Sequence, residues 1–81
     1  MNAYAYEVSA RYEGHEVITK TDNIQHALRT VRDAWNNNAE RVECISGYTG
    51  EVLMYTDPYG EIDCYMSPEF KLMWLGFTLI D

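Results

Sequence analysis

An apolar stripe between residues 24 and 35 constrains the fold of this chain more than any other feature of its sequence. The stripe repeats at intervals of three and four residues and comprises Ile24, Ala27, Leu28, Val31, Ala34 and Trp35. Because an α-helix turns once every 3.6 residues, this spacing places all six side chains on one side of a helix. The segment therefore predicts an amphipathic helix that packs one face against a second element.

Short polar residues flank this predicted helix at both ends. Asp22 precedes it and Gln25 follows three residues later, which is the pattern of a capping box with Asp22 as the N-cap. Residues 36–38 are all asparagine, a residue that tolerates the left-handed conformation in which many helices end. We therefore expect the helix to end at these asparagines.

Alternating patterns on both sides of the helix predict β-strands. Residues 4–12 alternate tyrosine or aliphatic side chains with polar ones, and residues 16–20 follow after a short turn, which favours an antiparallel hairpin. Residues 41–48, 51–56 and 61–66 are separated by turn sequences at 47–50 and 57–60. These three segments predict a three-stranded antiparallel meander.

The last segment fits two patterns. Ser67 and Pro68 suit the N-cap and first position of a helix. The apolar residues that follow fit helical spacing in part and strand alternation in part: Phe70, Leu72, Met73 and Trp74. We expect a short helix that ends at Gly76, followed by a short strand at residues 77–80.

Together these elements predict a single α+β domain that spans residues 1–81, with the amphipathic helix packed on one face of the sheet. The expected core draws on every element: Tyr6, Val8, Ile24, Leu28, Val31, Trp35, Val42, Cys44, Met54, Ile62, Cys64 and Trp74.

Cysteine usage and the chain start indicate a reducing, cytoplasmic setting. Two cysteines are too few for the disulfide framework of a small secreted domain. In a meander Cys44 and Cys64 lie two strands apart, about 9–10 Å, which is beyond disulfide reach and predicts buried free thiols. No close ligand pairs favour a zinc site, and we expect no metal or cofactor. The first residues lack the features of a signal peptide, and no apolar run is long enough to span a membrane.

Charge is distributed unevenly along the chain. Thirteen acids and six bases give a net charge of −7, and residues 42–81 carry seven of the acids but a single base, Lys71. A surface of this sign repels the phosphate backbone of nucleic acid and attracts basic protein surfaces. The alternative is that the acids serve solubility alone. We expect no direct nucleic-acid or membrane partner, while a homodimer remains open.

Tyrosines are interleaved with acids in the predicted meander, which favours a non-catalytic, protein-binding surface. Tyrosine combines a large contact area with a polar tip and is enriched at interfaces. On the sheet face away from the helix, Tyr55 and Tyr65 are the expected anchors, with Leu53 as a neighbour, while Glu61 and Asp63 steer the partner. Glu51 and Tyr59 complete the predicted site. The alternative is ordinary cross-strand pairing on a solvated face.

A catalytic or ligand-binding homo-oligomer is the alternative function. His15 lies between Glu13 and Glu16, and a carboxylate beside an imidazole can support acid–base chemistry. Neither a nucleophile motif nor a phosphate-binding loop accompanies them, and the bare G-x-x-G of residues 47–50 is typical of a hairpin turn here. A purely structural accessory role is the third possibility.

In size and charge the chain resembles small acidic phage or mobile-element proteins that inhibit host nucleic-acid enzymes by occupying basic grooves. That resemblance implies an inhibitory role; it involves no shared motif and assigns no residue.

Overall fold

The computed structural model describes residues 4–56 and 65–80, which form one five-stranded antiparallel sheet and two helices. The elements are β1 (Tyr6–Tyr12), β2 (His15–Thr21), α1 (Ile24–Asn36), β3 (Arg41–Ser46), β4 (Val52–Tyr55), β5 (Tyr65–Met66) and α2 (Pro68–Ile80). The strand order is β2-β1-β3-β4-β5. The α+β class is thereby confirmed.

The β1–β2 hairpin forms as the alternating pattern predicts, and α1 then carries the chain across to the other side of β1. As a result β3 pairs antiparallel with β1, opposing Val8 to Cys44 and Ala10 to Val42. Because of this long-range pairing, β1 lies between its hairpin partner β2 and the first strand of the meander, β3. The β3 and β4 strands end earlier than expected, at Ser46 and Tyr55. In the described residues β5 comprises only the last two positions of the predicted third strand.

The N-cap of α1 is Asn23, so the prediction of Asp22 is wrong. The Asn23 side chain accepts hydrogen bonds from the backbone N–H groups of Gln25 and His26, at 2.8 and 3.2 Å. Asp22 Oδ1 instead accepts from the backbone N–H of Ala5, 2.9 Å away. Asp22 and Asn23 are adjacent and both have short polar side chains. The hydrogen bond of Asp22 to Ala5, just before β1, leaves Asn23 to cap the helix.

The C-terminal end of α1 matches the prediction from its asparagines. Asn38 adopts a left-handed backbone with φ of 62°. The backbone N–H of Asn37 donates to the carbonyl of Asp33 at 2.9 Å, and that of Asn38 donates to Trp35 at 3.2 Å. These bonds use carbonyls that the last helical turn leaves without an intrahelical partner.

The C-terminal segment is one continuous helix, so the expected strand at residues 77–80 is wrong. Ser67 does cap α2, since its Oγ accepts from the backbone N–H of Phe70 at 3.2 Å. Phe70 and Phe77 are both buried, one heptad apart on the inner side of the helix. A glycine inside a helix costs only about 0.5–1 kcal/mol, which burial of the Phe77 ring offsets. The helix therefore continues through Gly76.

Both helices contribute to one core on the same side of the sheet. Its buried members are Val8, Ala10, Ala27, Leu28, Val31, Ala34, Val42, Cys44, Met54, Phe70 and Phe77. Of the expected core, Tyr6, Ile24 and Trp74 are partly buried, and Ile62 and Cys64 lie outside the described residues. Trp35 was expected in the core but is 43% exposed, because it lies in the last turn of α1, at the rim of the α1–α2 groove.

Candidate binding face

The side of the sheet away from the two helices, here called the open face, is uncovered in the described residues. Cross-strand pairing aligns one residue from each strand into a row: Ile18, Ser9, Glu43, Tyr55 and Tyr65. Side chains alternate between the two faces of a strand, so this row points away from the core residues Val8, Cys44 and Met54. The row therefore runs across the whole open face.

Tyr55 and Tyr65 form a stacked pair at one end of this row. They are directly opposed on β4 and β5, their ring centroids are 5.9 Å apart, and their planes are inclined by 26°. Their exposed fractions are 39% and 43%. Each ring is thus held by the other while much of its surface remains open to a partner.

Arg41 connects this tyrosine pair to the neighbouring charges. Its guanidinium carbon lies 6.0 Å from the centroid of the Tyr55 ring, and Nη2 lies 3.5 Å from Glu43 Oε2. The sequence did not predict this contact, because Arg41 lies just outside the acidic segment of residues 42–81. Knowledge of the β3–β4 register is needed to place it beside Tyr55.

The charges on the strands of the open face balance among the described residues. The acids are Glu7, Glu16 and Glu43, and the bases are Arg11, Lys20 and Arg41. Glu7 and Lys20 are 4.0 Å apart, and Arg11 opposes Glu16 across the hairpin. A shallow depression of about 190 Å³ lies among Ser9, Arg11, Glu16, Arg41 and Glu43. The excess of acid is therefore located elsewhere than on β1, β2 and β3.

The other predicted site residues are distributed differently. Glu51 is exposed just before β4, and its backbone N–H donates to Thr49 Oγ1 at 3.2 Å. Leu53, which was expected beside Tyr55, falls at a register irregularity between β3 and β4 and is partly buried against the core. Tyr59, Glu61 and Asp63 lie outside the described residues.

The turn that precedes Glu51 is a hairpin loop, as the residues 47–50 predict. Ser46 Oγ accepts from the backbone N–H groups of Tyr48 and Thr49, both at 3.3 Å, and Gly50 has a φ of 76°. Gly47 is required for a different reason: a Cβ there would overlap the carbonyl oxygen of Tyr4.

Of the residues of the alternative catalytic site, His15 and Glu16 lie on opposite faces of the sheet. His15 stacks on Tyr12, with ring centroids 5.1 Å apart, on the helix side of the hairpin. Glu16 is the next residue of the same strand and lines the depression on the open face. Adjacent strand positions point to opposite faces, so the imidazole and this carboxylate are separated by the sheet.

Cys44 is a buried free thiol, as expected, while Cys64 lies outside the described residues. Burial raises the pKa of the Cys44 thiol to about 12, and the neighbouring Glu43 carboxylate contributes in the same direction. A thiol is a poor nucleophile and metal ligand until it loses its proton. The environment of Cys44 thus suits packing.

Within residues 4–56 and 65–80, no cluster of three or more histidine, cysteine or acidic side chains is placed to hold a metal ion. The helices of this part of the chain are too short or too polar to cross a membrane. Comparison of the chain with protein families, with curated proteins and with solved structures finds no match.

Proposed function

We propose that this protein is a non-catalytic binding module that docks its open face against a basic surface of another protein. The observation that carries this proposal is the stacked, half-exposed pair of Tyr55 and Tyr65 on paired strands. Interface hot spots are enriched in tyrosine, and they supply most of the affinity when a partner excludes water from them. A pair already held in place loses little side-chain freedom on binding.

Charge supports a basic partner. The chain carries −7 overall, and Asp57, Glu61 and Asp63 all fall within the eight residues before Tyr65 in the sequence. Glu43 is paired with Arg41, so the acids that steer an approaching partner are those outside that pair. Charges at the rim of an interface mainly raise the association rate and its dependence on salt. In this proposal Glu61 and Asp63 have that role.

The class of partner follows from the same charge argument. A protein that binds nucleic acid presents a basic groove to phosphates, and an acidic protein surface competes for that groove. We therefore propose inhibition of a nucleic-acid enzyme as the consequence of docking, in line with the small acidic inhibitors that the chain resembles in size and charge.

The test is capture of partners from a cell lysate at low and high salt, followed by measurement of association and dissociation rates with the purified partner. The Tyr55→Ala and Tyr65→Ala variants are expected to dissociate faster, at a cost of about 1–3 kcal/mol for a hot-spot residue. Tyr48→Ala is the matched control, because Tyr48 is exposed in the hairpin turn away from the pair. Equal retention of every partner by all three variants contradicts the proposal.

The steering acids are tested separately. The Glu61→Lys, Asp63→Lys double variant is expected to associate more slowly and with a weaker dependence on salt, with the fold checked by circular dichroism. If binding of all retained partners is unchanged, the acidic residues serve solubility alone. Inhibition is tested by adding the wild-type protein to the purified partner in its own nucleic-acid assay.

A cavity between the helices favours ligand binding as the second candidate function. It has a volume of about 340 Å³ and lies between α1, α2 and β4, lined mainly by Val31, Trp35, Met54, Met66 and Trp74. Small-molecule sites are concave and mostly apolar, with volumes of about 300–1,000 Å³. Native mass spectrometry of the purified protein is the test, and a spectrum with no bound small molecule counts against this function.

A further inference from the structure

The helix α2 is apolar on both of its sides, and only one side meets the core. The inner side presents the buried Phe70 and Phe77. The outer side presents three leucines at intervals of three and four residues, Leu72, Leu75 and Leu79, whose exposed fractions are 73%, 47% and 86%. A helix that is hydrophobic all round is normally covered on all sides. The outer side of α2 thus lacks a partner among the described residues.

We propose that a second copy of this chain covers the outer side of α2, with the two α2 helices packed antiparallel across a two-fold axis. A two-fold axis at the bond between residues 75 and 76 relates position 72 to 79 and position 75 to 76. With the axis there, Leu72 of one copy meets Leu79 of the other, and Leu75 meets Gly76. Self-complementarity of this kind is what a two-fold interface requires, since each patch must fit itself.

Gly76 provides the space that this pairing needs. The residue is exposed on the leucine side of α2, and nothing lies within 4 Å of where its Cβ would be. The glycine therefore leaves a gap in the helix surface, and Leu75 of the second copy fills it. The glycine also allows the two helix backbones to approach closely.

Charge favours a second copy as the occupant. Stable interfaces bury roughly 1,200–2,000 Å² in total, so two copies must also bury the surface of α2 around the three exposed leucines. Residues 70–80 contain no acid and one base, Lys71, so two chains of charge −7 repel each other least when they meet here. A lipid surface is disfavoured, because helices that lie on membranes carry many lysines and arginines on their polar face.

This inference goes beyond the proposed function and leaves its surface free. The open face lies on the side of the sheet opposite α1 and α2, so Tyr55 and Tyr65 of both copies remain accessible in the dimer. Two copies would then present two tyrosine pairs to a partner.

The test is sedimentation equilibrium over a wide range of protein concentration. The wild-type protein is expected to shift from 9.4 kDa to twice that mass as concentration rises. The Leu72→Glu, Leu79→Glu variant is expected to stay at the monomer mass, while Thr78→Glu, which adds an acid to α2 off the leucine stripe, retains the dimer. Circular dichroism melting shows whether each variant is folded.

A wild-type protein that stays monomeric at every concentration overturns the proposal, and so does a dimer that survives the double leucine substitution. Flotation with anionic and with neutral lipid vesicles is measured in parallel, and a monomer that binds vesicles through the leucines assigns the stripe to lipid and overturns the proposal.

The antiparallel arrangement has its own test, in chains that also carry Cys64→Ser, so that the buried Cys44 is the one native cysteine left. Leu72→Cys and Leu79→Cys chains, mixed and oxidised, are expected to form a mixed disulfide more than tenfold faster than either chain links to itself. Preferential linking of Leu72→Cys chains to one another contradicts the antiparallel pairing.

Discussion

The Thr56 hydroxyl accepts a hydrogen bond from the backbone N–H of Val42 at 2.9 Å, and the backbone N–H of Thr56 donates to the Val42 carbonyl at the same distance. Both residues are almost completely buried. Thr56 directly follows the end of β4. Its hydroxyl replaces the backbone carbonyl that would accept from the Val42 N–H if the β3–β4 ladder continued. One threonine therefore holds the end of β4 against β3.

Replacement of Thr56 by valine is expected to lower the free energy of unfolding by about 1–3 kcal/mol. Valine has nearly the same shape but leaves the buried N–H of Val42 without an acceptor. Urea denaturation measures the change. Thr56→Ser keeps the hydroxyl and is the control; a valine variant no less stable than the serine variant contradicts the role of this hydrogen bond.

Gly47 and Gly50 lie in the same turn and are expected to respond differently to substitution. Gly50 has a positive φ and open space around it, so Gly50→Asn is tolerated, because asparagine adopts this conformation readily. Gly47→Asn and Gly47→Ala both force a side chain into the Tyr4 carbonyl, at a cost of about 1–3 kcal/mol or more. Gly50→Ala, which places alanine at the positive φ, is the fourth variant. Thermal unfolding of all four distinguishes the effect of the positive φ at Gly50 from that of the steric overlap at Gly47.

The N-cap assignment predicts that Asn23→Ala destabilises the protein by about 0.5–2 kcal/mol, since two helix N–H groups lose their acceptor. Asp22→Ala removes one exposed hydrogen bond, to Ala5, and is expected to cost less. Asn23→Asp, which retains a capping oxygen, should restore most of the loss. If urea denaturation shows that Asp22→Ala destabilises the protein more than Asn23→Ala, the assignment of Asn23 as the N-cap is wrong.

Cys44 is expected to be unreactive in the folded protein. With its pKa raised to about 12 by burial, the thiol stays protonated at pH 8, and only the thiolate reacts. In a Cys64→Ser chain, reaction with a disulfide reagent should therefore proceed at the rate of unfolding and accelerate with urea. Rapid reaction in the absence of denaturant contradicts this environment.

The same shift makes stability dependent on pH in a defined direction. Above the ordinary pKa of 9.0 the unfolded chain releases the thiol proton while the folded chain retains it, so the stability from this group is lost as pH rises toward 12. The slope is at most about 1.4 kcal/mol per pH unit. Cys44→Ala should lack this contribution, and the difference in slope between the two proteins above pH 9 measures it.

Local patterns were sufficient for much of the fold. The stripe from Ile24 to Val31 determines which side of α1 is buried, because helical spacing alone puts those residues on one face. The alternation around Val8 identifies a half-buried strand, and the asparagines after Asn36 end the helix through their own backbone preference. Tyr55 and Tyr65 were predictable as exposed neighbours from their opposite parity to Met54 and Met66 in a simple hairpin.

Tertiary contacts decided the rest. Asn23 rather than Asp22 caps α1 because Asp22 meets Ala5, a residue seventeen positions earlier. The helix α2 continues through Gly76 because the core accepts Phe77, which outweighs the weak helix preference of one glycine.

The amino-acid sequence by itself determined α1, its buried side, the alternating strands and the net charge, since these depend on neighbours within a few residues. It left undecided which strands pair and in what register. Only the folded sheet brings Arg41 against Tyr55, balances the charges of the first three strands, and leaves the leucines of α2 outside the core, because these depend on contacts between segments far apart in the chain.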